Sequence, residues 1–257
     1  MNYKLVIFDL DGTLADTLQL IFDSFNFVLQ KYRSTELSPR EIMSYFGPPE
    51  DVCIKNIMGD DDFDNVWHDY LKYYEDHINE SVVYRGIPEL LSSLKNSGCR
   101  LGVFTGKGSD TTDMTLRHHG LKELFDVIVT GSNVVNHKPH PEGIELSLRL
   151  FNVDPDTAVL VGDSISDYKA SVSAKIHFIA AMYDGFVQAN KFDGTECTKV
   201  SSVQELSDYK AASSAKIDFI AAMYDGFVPE NRFDGTGCVQ VKSVRELSEA
   251  LLSGRRI

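Results

Sequence analysis

Short uninterrupted apolar runs alternate with helical-period segments along most of the chain. Lys4–Asp9 (KLVIFD), Leu101–Thr105 (LGVFT), Val127–Thr130 (VIVT), Ala158–Gly162 (AVLVG) and Ile176–Ala181 (IHFIAA) are runs of four to six residues. A strand covered on both faces has this form, whereas a half-exposed strand alternates apolar and polar positions. Between the runs lie three segments with helix boundaries. Pro88–Asn96 ends at Gly98, and Ser109–His119 starts on a capping Ser109 and stops at Gly120. Pro141–Phe151 opens with Pro141 in the first turn and Glu142 beside it, where an acidic side chain complements the helix dipole. Strand and helix in alternation predict an α/β fold: a parallel sheet with right-handed crossovers.

Residues 15–81 depart from that rhythm. Leu18, Ile21, Phe22, Phe25, Val28, Leu29 and Tyr32 share one helical face, as do Phe63, Trp67, Tyr70, Leu71, Tyr74 and Ile78. Ser38-Pro39-Arg40-Glu41 has the form of a helix start, and no strand candidate interrupts the stretch. The pattern predicts a small all-helical insert of four helices between the first strand and the rest of the sheet.

The last third contains a tandem repeat. Residues 167–207 are followed directly by 208–248, and 30 of the 41 aligned positions are identical. Two copies are fewer than a solenoid needs for a continuous core, so the repeat predicts a local duplication. The first copy reads as a helix, the IHFIAA strand and a short final strand (TKVSS) before VQEL. The second, with its own IDFIAA run, predicts an add-on at the sheet edge.

The 257 residues carry 25 basic and 38 acidic side chains, a net charge of −13. That field disfavours nucleic acid and anionic membrane as partners, while leaving room for a small anion in a locally compensated pocket. No apolar run reaches the length of a membrane span. The N-terminus turns acidic before a signal-peptide core can form, and Cys53, Cys99, Cys197 and Cys238 have no CxxC spacing; both point to a cytoplasmic protein with reduced thiols.

The chemistry sits where the strands end, which is where parallel sheets bind ligands. Asp9-Leu10-Asp11-Gly12-Thr13 leaves the first strand with two carboxylates at i and i+2. Gly162-Asp163-Ser164-Ile165-Ser166-Asp167 leaves the AVLV strand in the same manner. With those strands adjacent, Asp9, Asp11, Asp163 and Asp167 crowd together, an arrangement that calls for a cation; few hard oxygen ligands with room for water and phosphate suit Mg²⁺. Thr105 and Gly106 follow LGVF and offer a hydroxyl and backbone N–H groups to phosphoryl oxygens. Lys138, in His137-Lys138-Pro139-His140, can neutralise a nucleophile and bind phosphate as a point charge. The two histidines match no metal-binding spacing and are read as loop residues.

In this order, DLDGT, a strand-end Thr, a loop Lys and GDSxxD resemble the haloacid dehalogenase superfamily of aspartate-nucleophile phosphohydrolases, over residues 1–206. GTLADT and FGPPED resemble its phosphoglycolate phosphatase-like branch, with a helical cap after the first motif, and that branch's pyrophosphatase relatives. The resemblance implies a Rossmann-like core formed by 1–14 and 82–206, a cap at 15–81, and a duplicated unit at 207–257 that extends the core. It implies Asp9 as nucleophile and metal ligand, Asp11 as acid/base with its carbonyl on the metal, Thr105 and Gly106 as phosphoryl holders, Lys138 as charge balance, Asp163 as metal ligand and Asp167 as its support. Many members have Asn where Gly106 stands, which bears on one phosphate contact.

The implied activity is Mg²⁺-dependent hydrolysis of a small phosphomonoester of phosphoglycolate type through an aspartyl-phosphate. The alternatives are a sugar-phosphate mutase of the same fold or a pyrophosphatase. Dehalogenase relatives lack the second aspartate, present here as Asp11. The cap is expected to choose the substrate, with the Phe46–Glu50 turn projecting Glu50 and Asp51 towards the site.

Overall fold

The computed structural model describes residues 3–182, 191–195 and 197–214. Most of the second repeat copy, its IDFIAA run (217–222) and Cys238 lie outside the described residues. Tyr3–Leu206 forms one compact unit.

Six parallel strands make the sheet of the first unit: β1 (Leu5–Phe8), β4 (Arg100–Phe104), β5 (Val127–Val129), β6 (Ala158–Gly162), β7 (His177–Ala181) and β8 (Thr198–Val200). Their order is β5-β4-β1-β6-β7-β8, so β1 is central, flanked by β4 and β6. Every residue of β1 and β6 is buried, which explains runs without polar alternation. Leu5 and Ile7 point to one face, where they join Phe104, Ile144, Leu148, Ala170 and Phe178 in a cluster with helices α7 (Glu142–Phe151) and α8 (Ile165–Ala174). Helix α5 (Ile87–Asn96) packs on β4 and buries Ile87, Leu90, Leu91 and Leu94, the i, i+3, i+4, i+7 stripe of an amphipathic helix.

Register places the chemistry. Phe8 stands level with Val103 on β4 and Val161 on β6. The three central strands therefore end within a residue or two of one another, about 4.8 Å apart. The residues that follow, Asp9, Thr105 and Asp163, emerge side by side.

The insert contains α1 (Leu18–Arg33), α2 (Pro39–Met43), α3 (Glu50–Met58) and α4 (Phe63–Asp76). They enclose their own apolar cluster, in which Phe25 meets Tyr70 edge-on with ring centroids 5.3 Å apart. Ser38 and Glu41 form the expected capping box at α2. The expectation that no strand interrupts 15–81 is corrected at its edge. Ala15–Asp16 (β2) pairs antiparallel with Val82–Val83 (β3), so the two linkers of the insert are hydrogen-bonded to each other.

A second correction concerns Ser109. Helix α6 (Ser109–His118) is capped by Gly108, which has the extended backbone an N-cap requires; Ser109 is already helical and bonds Thr130 Oγ1 at 2.8 Å. Gly108 holds that place because Glu50 presses on it: a Cβ there would lie 2.9 Å from Glu50 Oε2. In the repeat, copy one's DYKASVSA lies in α8. In copy two, DYKAASS continues the VQELS helix without a break, in α9 (Val203–Ser214), so that Asp208 is mid-helix and exposed rather than at a strand exit.

Candidate active site

Asp9 leaves β1 with its backbone N–H donated to Val161 O at 2.9 Å, so the ladder to β6 continues one residue past the strand. Its Oδ1 accepts from Leu10 N at 2.8 Å and lies 3.0 Å from Lys138 Nζ. Lys138 in turn lies 2.5 Å from Asp167 Oδ1 and sits 4.8 Å from the centroid of the Phe104 ring. Asp167 is fully buried; its Oδ2 accepts from Ser164 N and Oγ in the capping box that opens α8. The dipole-partner role of an acidic first turn is therefore present, and its other oxygen anchors Lys138. Asp163 Oδ1 accepts from Thr13 Oγ1 at 3.2 Å, a contact across 150 positions of sequence.

Asp9, Asp163 and Asp167 each place a carboxylate oxygen within 4.8 Å of the others. Burial, and then the charge of Asp167, push the Asp9 carboxyl well above its usual range, although Lys138 pulls the other way. A nucleophilic or metal-binding Asp9 must be ionised. A hard divalent cation would relieve the crowding, and the donor set of three carboxylates fits one. Asp11 stands apart from this trio. Its Oδ1 accepts from Thr17 Oγ1 at 2.5 Å and lies 3.4 Å from Lys107 Nζ. For Lys138, burial opposes the charge, but Asp167 and Asp9 outweigh it and raise its pKa.

Thr105 is buried and accepts from Lys107 N at 3.2 Å, which closes the turn after β4. A Cβ on Gly106 would meet nothing nearer than Gly47 O, at an ordinary 3.6 Å. The loop bearing Lys138 is braced by Glu142, whose carboxylate accepts from Val135 N and Asn136 N at 2.9 Å each. Gly12 turns the chain with φ +79°, and a Cβ there would lie 2.9 Å from the Asp163 carboxylate.

Asp9, Asp11, Thr105, Gly106, Lys138 and Asp163 line one cavity of about 550 Å³, walled on the insert side by Phe25, Met43, Phe46, Gly47, Pro48 and Glu50. Asp167 lies behind Lys138, outside the lining. Of the two residues expected to project from the Phe46–Glu50 turn, Glu50 lines the cavity and Asp51 does not. Two functional candidates escaped the sequence. Lys107, adjacent to Thr105-Gly106, is buried on the cavity wall, and Thr17 holds Asp11. The DLDGTLADT run placed Thr17 six residues from Asp11, but nothing local showed that the chain folds back.

Residues 6–181 match the family model of haloacid dehalogenase-like hydrolases. The chain is 34% identical over 168 residues to the pyrophosphatase PpaX of Bacillus cereus, which covers 65% of this chain and 77% of that one. The structure resembles that of CbbY from Rhodobacter sphaeroides in complex with phosphate, with TM-score 0.69 and 25% identity over 79% of this chain and 96% of that one. It also resembles a predicted phosphoglycolate phosphatase from Haemophilus somnus, with TM-score 0.68 and 25% identity over 80% and 98% of the respective chains. With the family's motifs gathered at the ends of three adjacent strands, the chain belongs to the haloacid dehalogenase-like hydrolases.

Proposed function

We propose that the protein is a Mg²⁺-dependent phosphatase acting on a small phosphorylated compound through an aspartyl-phosphate formed on Asp9. The observation that carries this is the Asp9–Lys138–Asp167 chain of ion pairs, of which Asp9 and Lys138 line the same cavity as Asp163 and Thr105, one large enough for a small ester. Asp9, the Asp11 backbone carbonyl and Asp163, supported by Asp167, would hold Mg²⁺, which shields the charge between an anionic nucleophile and an anionic phosphoryl group.

The chain's own groups do the rest. Lys138 keeps Asp9 oriented and offsets the charge of the phosphoryl oxygens. The Thr105 hydroxyl and the N–H groups after it bind those oxygens. Asp9 attacks phosphorus, dividing one difficult displacement into two. Asp11 gives a proton to the departing oxygen and then takes one from the attacking water, a role that contributes about 10²–10⁴ in rate. We assign 15–81 as a cap over a core of 1–14 and 82–206, because the insert has its own apolar cluster and contributes the far wall of the cavity. Its closure excludes bulk water and shapes the leaving-group pocket.

The substrate class is a phosphomonoester of phosphoglycolate type. Pyrophosphate is the second reading, favoured by the 34% identity to a pyrophosphatase. The test is phosphate release from 2-phosphoglycolate, pyrophosphate and a sugar phosphate, in Mg²⁺ and in EDTA, with and without a sugar bisphosphate. Mg²⁺-dependent release is expected from one of the first two. Release from none, or conversion of the sugar phosphate to an isomer only when the bisphosphate is present, would overturn the assignment.

A further inference from the structure

Lys107 follows the phosphate turn, and its side chain is wholly shielded from solvent. Its Nζ lies 3.2 Å from Glu50 Oε1, 3.4 Å from Asp11 Oδ1 and 4.8 Å from the centroid of the Tyr74 ring. Glu50 belongs to α3 and Tyr74 to α4, so two of these partners come from the insert and only Asp11 from the core. Glu50 is itself buried and fully engaged: Oε2 accepts from Gly108 N at 2.5 Å, and Oε1 accepts from Thr111 Oγ1 at 2.8 Å. Tyr74 Oη meets Thr115 Oγ1 at 2.9 Å one turn further along α6. The insert is thus docked on α6 through a row of buried polar contacts that ends at Asp11.

Burying a charge costs several kcal/mol even when it is paired, and apolar residues of the same volume would join two elements at lower cost. A structural joint therefore does not explain why an ammonium stands between Glu50 and Asp11. Nor is Lys107 disposed to receive an anionic leaving group, since two carboxylates already balance it. The contacts of Asp11 point elsewhere. Among the described residues, both close partners of its carboxylate, Thr17 Oγ1 and Lys107 Nζ, fall on Oδ1, and Oδ2 has none. One oxygen is fixed and the other is left for the proton.

We infer that Lys107 and Glu50 are positioning residues: Glu50, carried by the insert, holds Lys107 against Asp11 Oδ1, so that docking of the insert orients Asp11 for proton transfer to the leaving group. The inference rests on the phosphatase reading above. It also explains how one carboxylate can be kept apart from the Asp9, Asp163 and Asp167 cluster although only one residue separates it from Asp9.

The test is a leaving-group series of phosphomonoesters, from p-nitrophenyl phosphate to alkyl phosphates, hydrolysed in Mg²⁺ by the full chain. A nitrophenolate departs without a proton, whereas an alkoxide requires one. Lys107→Met and Glu50→Gln are expected to lower kcat/KM, which ends at leaving-group release and so omits the later dephosphorylation step, for alkyl phosphates by about 10–100-fold, part of the roughly 10²–10⁴ that general acid catalysis supplies, and for p-nitrophenyl phosphate by less than about threefold. In an Asp11→Asn background, Lys107→Met should add no further alkyl-selective loss, because the two act as one unit.

Should Lys107→Met fail to fold with Glu50 left unpaired, the Lys107→Met/Glu50→Gln pair removes both buried charges and carries the same expectation. A loss in kcat/KM equal across the series, or additive with Asp11→Asn, would overturn the inference and leave the phosphatase assignment standing. A wild-type chain that hydrolyses none of these esters would overturn the phosphatase assignment, and the inference with it.

Discussion

Replacing Gly12 by alanine perturbs the site through the backbone alone. Gly12 has φ +79°, and alanine in left-handed backbone costs about 1–2 kcal/mol. Over a unit of this size, each kcal/mol lowers the melting midpoint by about 2–4 °C, so the variant in EDTA should melt about 2–8 °C below wild type. The new methyl also lies 2.9 Å from the Asp163 Cγ and Oδ2, too close for carbon against either atom, and Thr13 Oγ1 donates to Oδ1 of the same carboxylate at 3.2 Å. Asp163 must therefore move. If it holds Mg²⁺, a tenfold weaker site removes about 1.4 kcal/mol of the stabilisation that excess cation provides. The gap between wild type and Gly12→Ala should accordingly be wider in excess Mg²⁺ than in EDTA, as read by calorimetry under both conditions. An unchanged midpoint in EDTA would refute the backbone argument. A gap of equal size in both conditions would refute the link between Asp163 and the cation.

Asp9→Asn should abolish steady-state turnover in the substrate panel, since the amide is neither nucleophile nor anionic ligand. The same variant should be more stable than wild type without metal, by a margin that grows with pH. Because folding raises the Asp9 pKa, the unfolded chain releases that proton first, so the wild type loses stability as pH rises above the unfolded carboxylate value of about 3.9; urea midpoints for the pair at pH 5 and pH 8 measure the difference, and a gap that shrinks with pH would contradict it. Substitutions at Phe46 and Pro48 should reorder the substrates by kcat/KM while Mg²⁺ affinity holds, because these residues line the insert side of the cavity and touch none of the carboxylate trio. A chain ending at Ser207 should still bind Mg²⁺ and turn over substrate, and Asp208→Ala should be silent in the full chain. The site residues all precede Ser207, and the last helix is anchored by buried Val203 and Leu206; a folded but inactive truncation would show that the second copy is required.

What was legible in the sequence was local. Five of the six sheet strands announced themselves as apolar runs, because a strand covered on both faces has no solvent side on which to place polar residues. The two long helices of the insert announced themselves through their 3.6-residue stripe, and α2 through its Ser38-Pro39-Arg40-Glu41 start. Motifs directly after strands pointed to a site, because parallel strands all deliver their exits to one end of the sheet. Ser109 misled for a local reason as well: serine is the usual cap, and only the Glu50 carboxylate, arriving from 58 positions away, shows why a glycine takes that place. The strand order β5-β4-β1-β6-β7-β8 was decided by tertiary packing, since each strand's pattern says that it is buried but not beside which neighbour. That order sets Asp163 against Thr13 and Lys138 between Asp9 and Asp167. Lys107 shows the limit most clearly. A lysine in a loop reads as solvated, and its burial between Glu50 and Asp11 depends on an insert folding back over the sheet. Hydrophobic periodicity specifies which face of an element is buried, but the partners of a buried charge are chosen by the three-dimensional contacts that desolvate it.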